Sequence, residues 1–198
     1  MKTSLLLKST LALALATPLL ASAESQLITG AGSAVARLDF RVIVPRVLFL
    51  GVGTGAAAAT PANNASIDTV TFDYTTNPAA VGTGAAAGAI TGNVVPVRVV
   101  GNNGQVSLTA ATTGALTNGT ADTIPWSEIT ATSSLAALPS PVIPATGTGA
   151  GSNVTLSSGT KITDRSANWT FSYANTAVVA PGTYGTTNGR VTYTAAMP

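Results

Sequence analysis

The sequence predicts an all-β protein, an immunoglobulin-like antiparallel β-sandwich behind a cleaved signal peptide. Three observations carry this expectation. Apolar residues recur at every second position in several separate stretches, the mark of half-buried strands. Turn-forming groups such as Gly101-Asn102-Asn103-Gly104, Asn118-Gly119, Ser158-Gly159, Pro181-Gly182 and Asn188-Gly189 stand between those stretches. No amphipathic helix of ordinary length follows residue 23.

Met1–Ala23 carries Lys2 and Lys8, an apolar run from Leu11 to Leu20, and the small-residue box Ala21-Ser22-Ala23. That is the layout of an export signal cut after Ala23. The run is too short for a membrane-spanning helix, so no transmembrane anchor is expected. The remaining chain, residues 24–198, reads as one domain, located in the periplasm, at the cell surface or outside the cell.

Strands are expected in order. Val35–Val44 puts Leu38, Phe40, Val42 and Val44 on one face and Arg37, Asp39 and Arg41 on the other. Pro45 ends it, and Val47–Val52 forms a second, more apolar run. Ile67–Tyr74 alternates through Val70, Phe72 and Tyr74. Asn93–Val100 aligns Val95, Val97 and Val99, and its internal Pro96 points to an edge or a bulge because proline cannot donate to a ladder. Gln105–Ala110 aligns Val106, Leu108 and Ala110. Val154 and Leu156 suggest a short strand. Trp169, Phe171 and Tyr173 form an aromatic stripe, and Val191, Tyr193 and Ala195 make the last strand. The small-residue tracts Gly51–Ala59, Val81–Ala89 and Ala145–Gly151 are expected to be surface loops, since such residues cannot fill a core.

Composition excludes several chemistries. The 198 residues include no Cys and no His, and only 8% are charged. Disulfides, thiol nucleophiles, Cys/His zinc sites and His-based triads are therefore impossible. Lys2 and Lys8 leave with the signal, so seven basic residues face seven acidic ones in the exported chain. No basic stripe remains for nucleic acid.

The residual candidates are weak. Gly51-x-Gly53-x-x-Ala56 follows an apolar run, with Asp68 and Asp73 further on, as in a dinucleotide fingerprint. It is followed by Thr60-Pro61 and no βαβ unit, so a loop is the expectation. Glu128 beside Trp126 would suit a sugar site, but no partner carboxylate is identifiable. It is therefore read as a surface acid beside a core tryptophan. Trp169, Phe171 and Tyr173 are expected in the core. Tyr184, after Pro181-Gly182-Thr183, is expected to bond back to nearby backbone and lock a corner. No catalytic, cofactor-binding or metal-binding residue is assigned, and the chain is not read as an enzyme.

The signal peptide, the early strand LDFRVIV, the Val106-Ser107-Leu108 strand with Ile124-Pro125-Trp126 after it, and the ending Pro181-Gly182-Thr183-Tyr184 … Arg190-Val191-Thr192-Tyr193-Thr194-Ala195 together resemble secreted bacterial β-sandwich proteins, above all fimbrial subunits of the chaperone–usher type. The chain differs from many of these in lacking cysteine and in ending on Ala196-Met197-Pro198. The resemblance implies a structural pilus or fimbria-like subunit that assembles by β-strand addition. Its partners would be other copies of itself or related subunits, and a periplasmic chaperone. Leu38, Phe40, Val42 and Val44 would be the exchanged residues. The simpler expectation is that Val35–Val44 pairs within its own chain. The alternative class is a monomeric secreted or periplasmic binding module, for example one that recognises carbohydrate, and it would display exposed aromatics.

Overall fold

The structure, a computed structural model, describes residues 24–57 and 60–198. The expected signal peptide, Met1–Ala23, lies outside the described residues. The chain divides into two units, Met1–Val44 and Pro45–Pro198.

The described part of the first unit contains neither strand nor helix. The Val35 amide donates to Gln26 Oε1 at 2.9 Å, and Arg37 Nε lies 4.0 Å from a Glu24 carboxylate oxygen. The expectation of an own-chain strand over Val35–Val44 is thus corrected. The alternation is present, but a strand also needs a neighbour to accept its ladder bonds, and no described residue pairs with this stretch.

The second unit is nearly all β and antiparallel. Its strands are β1 (Leu48–Val52), β2 (Thr71–Asp73), β3 (Ala89–Thr91), β4 (Val94–Gly101), β5 (Val106–Thr112), β6 (Leu116–Thr117), β7 (Thr123–Ile124), β8 (Ile129–Ser133), β9 (Gly147–Thr148), β10 (Ser152–Val154), β11 (Thr163–Tyr173) and β12 (Thr192–Ala196). One sheet has the order β1-β4-β11-β8. A second has the order β10-β5-β12, with β9 also on β5. Two short hairpins, β2-β3 and β6-β7, stand beside them. Among the described residues, helical structure is limited to three single 3-10 turns.

Both larger sheets feed one core. Val95, Val97 and Val99 of β4, Val106 and Leu108 of β5, Val154 of β10, and Trp169 and Phe171 of β11 are buried together with Trp126, Leu138 and Ile143. The period-two pattern made this legible, because alternate side chains of a strand point to one face. In β4 and β5 every second residue is buried. Trp169 and Phe171 are core, as expected, while Tyr173 is half-buried with its ring centroid 6.0 Å from Phe72 and 6.1 Å from Tyr74.

Pro96 is not at a sheet edge, because β4 lies between β1 and β11. The physical objection is met differently. Pro96 sits opposite Gly53, just past the end of β1. Its carbonyl accepts the Gly53 amide at 2.8 Å, and the Gly53 carbonyl that a residue-96 amide would have served accepts the Ala56 amide at 2.9 Å instead. The missing donor therefore leaves no acceptor unsatisfied.

The first small-residue tract is likewise only partly a surface loop. Gly51 and Val52 belong to β1, Thr54–Ala57 is a 3-10 turn, and Gly51, Gly53 and Ala56 are buried. Gly51 tolerates no larger residue, since a Cβ there would meet the Ala56 backbone at 2.8 Å. Strand β8 has little apolar alternation in its sequence, ITATS, and is recruited by pairing with β11 from Ile129↔Tyr173 to Ser133↔Trp169.

Candidate functional site

Leu38, Phe40, Val42 and Val44 are 76, 86, 85 and 74% exposed. Four large apolar side chains at strand spacing, left in water on an unpaired backbone, are what an interaction segment presents. Ile43, on the opposite face, is also 76% exposed.

The other half of such an interaction is an unpaired strand edge. β1, β8, β10 and β12 each end a sheet. β8 and β12 carry mostly Thr, Ser and Ala (ITATS and TYTAA), so they offer an added strand little large apolar side-chain surface. Just past the end of β10 the Thr155 amide donates to the Ala137 carbonyl at 2.8 Å, so another segment is already bonded there. β1 differs, with sequence LFLGV. Beside it runs an open groove of about 500 Å³ lined by Leu48, Phe49 and Leu50 on one wall and Ala62, Asn63, Asn64 and Ala65 on the other.

The polarity of the β1 ladder follows from its ends. The Gly53 amide donates to Pro96, and the Val47 carbonyl accepts the Asn102 amide at 3.3 Å. Odd-numbered residues therefore turn their backbone groups toward β4. Residues in an antiparallel strand alternate in this respect, so the N–H and C=O groups of Leu48, Leu50 and Val52 face the outer edge. The side chains of Leu50 and Val52 pack on the core.

Asn102, in the turn between β4 and β5, fixes the approach to β1. Its Nδ2 donates to the Pro45 carbonyl at 2.8 Å, and its Oδ1 accepts the Val47 amide at 2.8 Å. Arg46 donates from its guanidinium to the Met197 carbonyl at 3.0 Å. Nothing local in the sequence signals these bonds, which join residues more than fifty positions apart.

The remaining sequence candidates resolve into structural roles. In the Gly51-x-Gly53-x-x-Ala56 stretch, Asp68 accepts the Thr54 amide at 2.6 Å and the Thr54 hydroxyl at 2.9 Å. This acid of the dinucleotide-like pattern thus closes the turn. Trp126 is buried, its indole donating to the Gly114 carbonyl at 2.7 Å. Glu128 accepts from the Thr176 hydroxyl and from the Thr176 amide, the latter at 3.0 Å. These bonds, the hydroxyl first and the amide second, hold its carboxyl below the usual range. Its folded-state stabilisation is therefore present above the ordinary carboxylate pKa and fades as pH falls through the lowered value. Asp122 accepts the Ala180 amide at 3.1 Å, and Asp73 accepts the Thr75 amide at 2.8 Å. Asp164 pairs with Arg98 at 3.3 Å. Tyr184 bonds back to the Ala180 carbonyl at 2.8 Å, the corner lock expected from its neighbours.

Sequence reasoning missed Asn175. It is buried at φ +54. Its Nδ2 donates to the Ala80 and Ala85 carbonyls at 2.6 and 3.0 Å, and its Oδ1 accepts the Gly82 amide at 2.8 Å. One side chain thereby anchors the start of the Val81–Ala89 tract.

No protein-family model, curated protein or solved structure matches this chain.

Proposed function

We propose that this protein is an exported structural subunit, an immunoglobulin-like β-sandwich that assembles in the manner of a fimbrial subunit by β-strand addition. In this reading Leu38, Phe40, Val42 and Val44 enter a neighbouring subunit. The partners are other copies of the chain or related subunits, with a periplasmic chaperone shielding the segment before assembly.

The observation that carries the reading is an apolar, strand-patterned segment exposed along its whole inner face. Burying each of these side chains contributes roughly 1.5–3 kcal/mol as an upper figure, which offsets only part of an association cost of about 4–15 kcal/mol, so the backbone hydrogen bonds of the added strand must contribute the rest. The amino-terminal sequence, with its positive front, apolar run and A-x-A box, supports export. The near balance of charge in the rest of the chain suits subunits that pack closely. A carbohydrate-binding module fits less well, because both tryptophans are buried.

The test is the size of the exported protein by light scattering and its appearance by electron microscopy. The full chain is expected as oligomers or filaments. Phe40→Asp together with Val42→Asp, exposed positions that leave the folded core untouched, is expected as a monomer with unchanged thermal stability. A full chain that stays monomeric with its chaperone supplied, or a variant that assembles as well as the parent, overturns the proposal.

A further inference from the structure

The geometry points to the outer edge of β1 in a second copy as the acceptor of residues 38–44. This inference rests on the strand-addition reading and adds the partner surface, together with the reason the exchange runs between copies.

Four features converge on β1. Leu48, Leu50 and Val52 turn outward N–H and C=O groups that have no backbone partner among the described residues, the template that an added strand requires. Among the described edge strands β1 has the most apolar sequence, LFLGV. The groove of about 500 Å³ between Leu48–Leu50 and Ala62–Ala65 leaves space along that edge. The pattern also matches. With Leu38, Phe40, Val42 and Val44 turned inward they continue the face on which Leu50 and Val52 meet the core, and Arg37, Asp39 and Arg41 fall on the outer face.

A chain folding Val44 back along its own Leu48 would need Pro45, Arg46 and Val47 as the hairpin loop. Those residues are already held: Pro45 and Val47 by Asn102, and Arg46 by the Met197 carbonyl. The segment is therefore given to another molecule.

The chain has no cysteine, so single cysteines report proximity without background. Asp39→Cys or Arg41→Cys places a thiol on the outer face of the incoming segment. Phe49→Cys places one on the outer face of β1, and Ala62→Cys, on the far wall of the groove, serves where Phe49→Cys fails to fold. Thr130→Cys, exposed on β8, is the control edge. A disulfide requires Cβ atoms about 3.5–4.5 Å apart. Pairs of singly substituted full-length chains are exported together, oxidised and run without reductant. A doubled mass for a donor cysteine with Phe49→Cys or Ala62→Cys, and none with Thr130→Cys, is expected. Cross-linking through Thr130→Cys instead, or an assembled protein with no cross-link at β1, overturns the β1 assignment while strand addition stands. A doubly substituted Arg41→Cys/Phe49→Cys chain that closes on itself without forming a dimer overturns exchange between copies. A monomer by light scattering with no cross-link at either edge overturns both readings.

Discussion

The rings of Trp169 and Tyr193 lie with centroids 5.1 Å apart, tilted by 58°. Trp169 belongs to β11 of the first sheet and Tyr193 to β12 of the second, so this pair joins the two sheets across the core. Trp169 also donates from its indole to the Leu138 carbonyl at 3.3 Å. The Tyr193 hydroxyl is buried without a hydrogen-bond partner among the described residues.

That orphaned hydroxyl gives a prediction of unusual sign for a core change. A buried hydroxyl without a partner costs about 1–3 kcal/mol, so Tyr193→Phe is expected to raise stability by about 1 kcal/mol in urea unfolding. The same residue sets an alkaline limit. Burial pushes its pKa from 10 up to about 12, so the unfolded chain releases the proton first. Stability from this group is intact below pH 10 and declines as pH rises from 10 through 12, by about 2–3 kcal/mol at the upper end. Tyr193→Phe should flatten that decline. A destabilised variant with an unchanged alkaline limb would mean that the hydroxyl is satisfied.

Asn175→Ala is expected to cost about 2–3 kcal/mol, since three side-chain hydrogen bonds go and the Gly82 amide loses its partner, while the Ala80 and Ala85 carbonyls keep the donors of Thr83 and Tyr74. Asn175→Asp separates the contributions. A carboxylate still accepts from Gly82 but faces the Ala80 and Ala85 carbonyls with no protons to offer. Its penalty should shrink at acid pH, where the protonated acid regains a donor. Equal penalties at pH 3 and pH 7 would refute this account. The readout is the denaturation midpoint across pH.

Gly53 stands at φ +86, and a Cβ there would run into the Asp68 carboxylate that holds Thr54. Gly53→Ala is expected to cost about 1–2 kcal/mol from the left-handed backbone and more from displacing Asp68. Gly53→Ala combined with Asp68→Ala should cost clearly less than the two single effects added together, because the second change removes the obstacle created by the first. Simple additivity in thermal unfolding would count against the contact.

Much of this fold was legible before any coordinates. Alternation located β2, β4, β5, β12 and the aromatic half of β11, because one buried face imposes a period of two on any sequence; an apolar run located β1, and of the short strand expected at Val154 and Leu156 only Val154 lies in β10. The turn between β4 and β5 was equally plain from Gly-Asn-Asn-Gly. β8 escaped notice because its pairing with β11, rather than its own composition, makes it a strand. Asn102 and Asn175 escaped because an asparagine that bonds across fifty or ninety residues looks like any other turn asparagine.

Strand pattern and strand pairing separate most clearly at Val35–Val44 and Asn93–Val100. Both alternate cleanly, yet only the second is paired. Alternation is a property of side chains, written residue by residue in the chain. A ladder is a property of two backbones, and whether a second one lies alongside depends on contacts distant in sequence. The same distinction accounts for Pro96: its missing donor could be read from the residue type, but that Gly53 stands opposite, with its carbonyl already taken by Ala56, followed only from the tertiary arrangement.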